Sequence, residues 1–231
     1  MTLREVAVLD TPFRRAYTHE ELQAEQARTL ASTPRSYGPL ARALFFLMDA
    51  FYGRRRTLEK CMVLEIIARV PYQAWEHVAY IALTHTSSLP HFARRVFEFV
   101  RASREQQDNE QWHMFILEEM LNRKGAARGP VKFFLVPQIV AFAYYQISWL
   151  LYVIHPRQSY ALNADFEDHA EREYMNIVRE NPAFESEPWK SDFEADYGSY
   201  RTVADLLRRI GLDERAHKEE SIARMAQPRF A

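Results

Sequence analysis

Four glutamates and two histidines constrain this chain more than anything else in it: Glu65, Glu110 with His113, Glu167, and Glu214 with His217. The successive clusters stand 45, 57 and 47 residues apart, and each falls in a stretch whose apolar periodicity reads as helix. The spacing of three in Glu110-x-x-His113 and Glu214-x-x-His217 puts both side chains of a pair on one helix face. A Glu from each of two helices plus Glu-x-x-His from each of two others is how bundle cores hold two iron or manganese ions. The sequence therefore reads as a di-metal carboxylate protein.

The pair motif alone is weak, since a chain of this composition holds about one Glu-x-x-His by chance. Its surroundings carry the argument. Glu65 sits in the apolar run CMVLEIIARV, where an unpaired carboxylate is costly. Glu110-x-x-His113 runs straight into Met114-Phe-Ile-Leu117, so its helix has a buried side close by. Burial there demands compensating charge, which a metal pair supplies. Carboxylate and imidazole donors without thiolate favour iron or manganese over structural zinc. Asn109 beside Glu110 and Asp213 beside Glu214 are placed to orient ligands.

Composition agrees with a helical protein of this kind. Only 6 Gly occur in 231 residues, and there is no Gly-rich phosphate loop. Apolar residues make up 48% and charged residues 26%, enough for a real core. A net charge of −1 gives no global field for nucleic acid, although arginines cluster at Arg14-Arg15, Arg54-Arg55-Arg56 and Arg94-Arg95. The single cysteine, Cys61, excludes an intrachain disulfide and fits a buried thiol in a reducing compartment. The charged first thirty residues read as neither a secretory signal nor an import sequence, so a bacterial-type cytoplasmic chain is expected.

Along the chain, residues 1–33 read as a polar arm in which Thr18-His-Glu-Glu starts a short helix by capping-box logic. A bundle domain over 34–225 and a tail over 226–231 follow. Helices are expected around Leu40–Phe51, from Leu58 to about Leu83 with a kink near Pro71, over Pro90–Arg123, over the very apolar Val131–Ile154, from about Gln158 to Arg179, and from about Tyr200 to Met225. Val131–Ile154 is long enough to span a bilayer, but Pro137, Gln138, Gln146 and Ser148 make it a poor spanning helix. Residues 181–198 read as a loop with one short turn, and no convincing strand is visible.

The ligand segments resemble the alternative oxidases, most closely the plastid terminal oxidase branch. Leu64-Glu-Ile-Ile-Ala-Arg-Val-Pro-Tyr72 is similar to that branch's LETIARVPY segment, and Asn109-Glu-Gln-Trp-His113 to the family's NE-x-x-H motif. Ser159-Tyr160, Glu167-Asp-His-Ala170 and Tyr174 resemble the branch's third motif, and Asp213-Glu-Arg-Ala-His217 the family's DE-x-x-H. The resemblance covers about residues 34–223, with all four motifs in order.

That resemblance implies an all-α, ferritin-like four-helix bundle with a di-iron carboxylate centre, plus two additional amphipathic or apolar helices. It implies a membrane-associated quinol oxidase that reduces dioxygen to water without pumping protons. Two Fe ions would be held by Glu65, Glu110, Glu167 and Glu214, with His113 and His217 as ligands or close hydrogen-bond partners. Tyr174 matches the active-site tyrosine, a source of one electron during O–O cleavage. Lys60, Leu64 and Glu173 fall where quinol would be contacted, and two of them depart from the pattern. Lys60 replaces a usual arginine and loses its planar fork, and Glu173 brings a charge where Ser or Thr is usual. The resemblance also implies a homodimer on one leaflet, with Pro34–Gly53 and Val131–Ile154 sunk into the lipid; with the cytoplasmic reading of the N-terminus, this is expected to be the cytoplasmic face of a bacterial-type membrane. The alternatives are a soluble di-iron oxygenase acting on a small metabolite, favoured by Lys60 and Glu173, and an iron-storage protein.

Overall fold

The computed structural model describes residues 16–86, 88–226 and 229–230. The Arg14-Arg15 pair lies outside them. Among the described residues the regular structure is helical, apart from one isolated bridge between Pro188 and Thr202.

Helix α1, His19–Ala31, starts at a complete capping box. The Thr18 hydroxyl accepts from the Glu21 amide at 3.2 Å, and Glu21 Oε2 accepts from the Thr18 amide at 2.8 Å. Its stripe Leu22, Gln26 and Thr29 is buried, and Gln26 Nε2 donates to the Met175 carbonyl at 2.8 Å. Helix α2, Pro39–Tyr52, buries only Ala41 and Met48 and ends at Gly53, whose φ of +86° a side chain would strain.

The stretch expected as one kinked helix is two. Helix α3, Leu58–Ala68, is capped by the Thr57 hydroxyl, and α4, Val70–His85, begins one residue later. Pro71 lies in the first turn of α4, where its missing N–H costs nothing, so the ring restarts a helix instead of bending one. Helix α5, Pro90–Arg123, runs for 34 residues, about 50 Å at 1.5 Å per residue.

The apolar segment opens with a π-helical turn over Val131–Leu135 and continues as α6, Val136–Ile154. Pro156 is the first residue of α7, Pro156–Glu180, where its missing N–H costs nothing. Residues 181–198 hold a 3₁₀ turn, Pro182–Glu185, and the one-turn α8, Glu194–Tyr197. Helix α9, Val203–Arg224, is capped by Thr202.

Helices α3, α5, α7 and α9 form the bundle that carries the glutamate and histidine clusters. The α7–α9 contact is the closest. A Cβ on Gly211 would lie 2.9 Å from Met175 Cε and 3.3 Å from Tyr174 Cβ, so glycine, otherwise costly inside a helix, is what lets these backbones approach. Helix α4 packs on α5 and α6, α1 covers α7 and α9, and α2 rests on α7.

Candidate metal centre

The bundle brings all six residues to one place. Glu65 comes from α3, Glu110 and His113 from α5, Glu167 from α7, and Glu214 and His217 from α9. Glu65 is 1% exposed and the other five are fully buried. They form two overlapping quartets whose donor atoms lie within 4.8 Å of one another: Glu65, Glu110, His113 and Glu214, and then Glu110, Glu167, Glu214 and His217. Glu110 and Glu214 belong to both, so each is placed where it would serve two ions at once.

Each imidazole turns Nδ1 inward. His113 Nδ1 lies 3.3 Å from Glu65 Oε2 and 3.0 Å from Glu214 Oε1, and His217 Nδ1 lies 2.6 Å from Glu110 Oε1. Behind His113, Nε2 meets Asp213 Oδ2 at 3.3 Å. That carboxylate also takes Asn109 Nδ2 at 3.4 Å, the Tyr197 hydroxyl at 2.7 Å and an ion pair with Arg209 at 2.8 Å. Of the two residues expected to orient ligands, Asp213 meets His113 directly, whereas Asn109 contacts Asp213 and none of the six.

The charges packed around these groups push their pKa values in opposing directions. Burial, then the neighbouring charge of Glu214, pushes Glu65 well above the carboxylate range. Burial, then Glu110 and Glu214, does the same to Glu167. For Glu110 burial is outweighed by the His217 charge and by hydrogen bonds from both histidines, which hold it well below its ordinary value. Both imidazoles are raised. Burial opposes their charge, but Tyr197 and the hydrogen bonds that Asp213 and Glu110 accept prevail at His113, and Glu110 and Glu214 prevail at His217. Protons collect here because positive charge is short.

Helix α7 makes the same point residue by residue. Of its buried acids, Asp165 pairs with Arg35 at 3.0 Å, Asp168 with Lys218 at 3.0 Å, Glu171 with Arg215 at 3.0 Å and Glu173 with Arg56 at 2.8 Å. Among the described residues Glu167 has no lysine or arginine. One oxygen accepts from the Tyr72 hydroxyl at 2.6 Å, and its buried Oε2 has no hydrogen-bond partner. A carboxylate left this way in a dry core is costly unless a cation takes it. The donor set and its missing positive charge fit a pair of divalent ions.

Tyr174, from α7, donates its hydroxyl to Glu65 Oε1, and its ring is fully buried. Burial, then the charge at Glu65, pushes its pKa well above the ordinary phenol value. Lys60 and Leu64 lie one turn apart on α3 and are both buried. The Lys60 ammonium is held by Asp49 Oδ1 at 2.5 Å and the Gly53 carbonyl at 3.2 Å, tying α3 to the end of α2. Glu173 is engaged by Arg56, and His169 stacks on Phe45 with ring centroids 4.0 Å apart. Cys61 is buried among these groups, and burial raises its thiol.

Tyr72, Tyr197 and Arg209 were not singled out in the sequence. Tyr72 had a signal, because it lies seven residues beyond Glu65 and so on the same side of a helical projection. Tyr197 lies in the non-periodic stretch before α9 and had none.

The family model of the alternative oxidases matches residues 18–225. The chain is also similar to ubiquinol oxidase 4, chloroplastic/chromoplastic, of Arabidopsis thaliana, with 30% identity over 133 residues. That alignment takes in 58% of this chain and 34% of the relative, so the chain spans about a third of the curated protein it matches.

Proposed function

The chain belongs to the alternative oxidase family, and from that premise we propose that it is a di-iron quinol:oxygen oxidoreductase working at a membrane surface. The observation that carries this reading is the pair of buried quartets sharing Glu110 and Glu214, with Tyr174 bonded to one of them. Glu65 and His113 would complete one iron site, Glu167 and His217 the other. The iron pair, when bound, supplies the electron transfers by which two quinols reduce one dioxygen to two waters, with no proton pumped.

The side chains do the positioning. Asp213 fixes His113 through Nε2 and keeps Nδ1 aimed inward. Tyr72 orients Glu167 through its hydroxyl. Tyr174 holds its proton against Glu65 in a water-excluded setting, so an electron taken from this phenol leaves together with that proton.

An apolar exterior supports the membrane surface. Helix α2 exposes Leu40, Phe46, Leu47 and Phe51, while the π-turn and α6 expose Phe134, Leu135, Ile139, Phe142, Leu150 and Ile154. Tyr52 joins the two, donating to the Lys132 carbonyl at 2.8 Å and packing on Phe133. Residues 131–154 are long and apolar enough to cross a bilayer, but α6 also packs along one side on α4 and α7, as a helix lying in one leaflet would. Arg54 and Arg55 stand exposed just past the end of α2 to meet headgroups, while Arg56 is taken by Glu173 and Glu180. Quinol would arrive from the lipid beside Lys60, Leu64 and Glu173, where Lys60 and Glu173 already hold counter-charges.

Oxygen uptake by iron-loaded protein supplied with a short-chain quinol, beside a Glu214→Ala control, tests this. Uptake that the control lacks supports the oxidase. Two irons bound without uptake moves the assignment to a metabolite oxygenase, and no iron bound overturns the metal centre.

A further inference from the structure

On the Glu167 side of the centre the core contains a continuous file of oxidisable rings. The His217 imidazole is 5.5 Å from the Tyr72 ring, Tyr72 is 5.2 Å from Trp75, and Trp75 is 4.7 Å from Tyr160, centroid to centroid. Tyr160 is 5.5 Å from Tyr152, and their hydroxyls share a hydrogen bond of 2.9 Å. Tyr160 also lines a surface cleft of about 430 Å³, whose rim carries Arg95, Glu98, Glu220 and Arg224. The file therefore runs from the metal ligands to a wetted, charged opening.

Packing alone does not require these residue types, because phenylalanine would fill the same core. What each ring has in addition is a polar atom with a partner. Tyr72 donates to Glu167 at 2.6 Å, Trp75 Nε1 donates to Ser159 Oγ at 2.9 Å, and the two outer phenols bond to each other. Such partners are what a phenol needs to lose an electron and a proton together inside a core. Tyr174 differs: among the described residues it has no other aromatic ring packed on it, so an oxidised Tyr174 has no onward ring.

We propose that Tyr72, Trp75, Tyr160 and Tyr152 form an outlet that carries oxidising equivalents from the centre to the cleft when quinol is not there to supply electrons. This rests on the oxidase reading above. The balance is one electron inward for each oxidising equivalent outward. Tyr72 gives an electron to the oxidised centre while its proton shifts along the hydrogen bond to Glu167. An electron from Trp75 and the returning proton restore Tyr72. Tyr160 then reduces Trp75 and releases its own proton to water in the cleft. A small water-soluble reductant, an enediol or a phenol, closes the sequence at Tyr160 by giving one electron and one proton and leaving as its own radical.

The test uses full-length, iron-loaded protein, reduced with one equivalent of dithionite per iron and exposed to oxygen without quinol. Radicals are trapped by freeze-quench for paramagnetic resonance, and oxidised side chains are mapped by peptide mass spectrometry. Wild type is expected to accumulate products at Tyr160 and Tyr152, and ascorbate is expected to remove them. Trp75→Phe should lose the Tyr160 product and shift oxidation to Tyr72 and Tyr174, while Trp75→Tyr, which keeps an oxidisable ring, should restore it. A merely structural Trp75 would not give that restoration. Tyr160 products undiminished in Trp75→Phe, or absent from a wild type that does consume oxygen with quinol, overturn the outlet alone. A wild type that binds iron but consumes no oxygen with quinol overturns the oxidase reading and the outlet with it.

Discussion

Helices α6 and α7 follow one another with only His155 between them, yet they solve opposite problems. Along α6 the buried residues are Pro137, Tyr144, Ser148 and Tyr152, a single stripe, while large apolar side chains such as Ile139, Phe142 and Leu150 face outward. Along α7 the buried residues include Asp165, Glu167, Asp168, Glu171 and Glu173. The ordinary arrangement of a globular protein is inverted, with acids inside and phenylalanines outside. The inversion makes sense if each helix is matched to a different medium, α7 to cations in the core and α6 to lipid. Four of the five buried acids on α7 find Arg or Lys among the described residues, so the missing partner of Glu167 is local and specific.

The largest expected effect separates the shared acids from the others. Glu110→Ala or Glu214→Ala removes a donor from both quartets and should abolish iron binding and oxygen reduction together. Glu167→Ala removes one from the second quartet only, and should leave one iron per chain with turnover lost. Metal analysis beside oxygen-electrode rates reads this out. Two irons retained in Glu214→Ala would break the bridging assignment.

On the other helix, the double change Phe134→Asp with Phe142→Asp attacks the exposed apolar face without touching the centre. Each buried phenylalanine is worth about 1.5–3 kcal/mol of transfer, and each charge in lipid costs about as much again. Partition onto lipid vesicles should fall by about ten-thousandfold or more, while iron content stays intact. Unchanged flotation with vesicles would mean that some other surface holds the membrane, and α6 would need a protein partner.

Much of this contrast is legible in the sequence, for identifiable reasons. Long helices with few glycines carry their ligands at helical spacing, so Glu110 with His113 and Glu214 with His217 are visible before any fold is known. The apolar excess of Val131–Ile154 is equally plain, but composition cannot say which side faces out, because a buried core helix has the same residues. The break at Arg69 was hidden, since Pro71 reads equally as a kink or as the first turn of a new helix. The π-turn at Val131–Leu135 changes hydrogen-bond register without changing residue preference. Tyr197 and Arg209 reach Asp213 through tertiary packing alone, so no local pattern announces them.

A smaller effect follows from the shortage of positive charge within the bundle. In the metal-free protein Glu65, Glu167, His113 and His217 all have raised pKa values, so the folded state binds more protons than the unfolded one. Stability from such groups is full below their ordinary values and is lost as pH rises past them, above 4.5 for the glutamates and above 6.5 for the histidines. The melting temperature of metal-free protein should therefore fall between about pH 6 and about pH 9. Iron should reverse the slope, because metal binding displaces those same protons. Parallel slopes with and without iron would separate the ions from the six residues.

The smallest structural change with a functional consequence is Tyr174→Phe. It deletes one hydroxyl, bonded to Glu65, from the fully buried side of the centre. A hydrogen bond to a charged group is worth about 1.5–3 kcal/mol, but Glu65 would keep iron as its partner, so the holoprotein should lose about 1 kcal/mol or less. Iron content should stay at two per chain and membrane partition should not move. The rate with quinol should nevertheless drop about tenfold or more, equivalent to roughly 1.4 kcal/mol of barrier, because the electron and proton held at that hydroxyl are gone. If the rate falls only in step with iron content, the hydroxyl is a ligand positioner. If nothing changes, Tyr174 belongs with the packing residues, and the polar interior of the bundle is explained by the metal ligands and their partners without it.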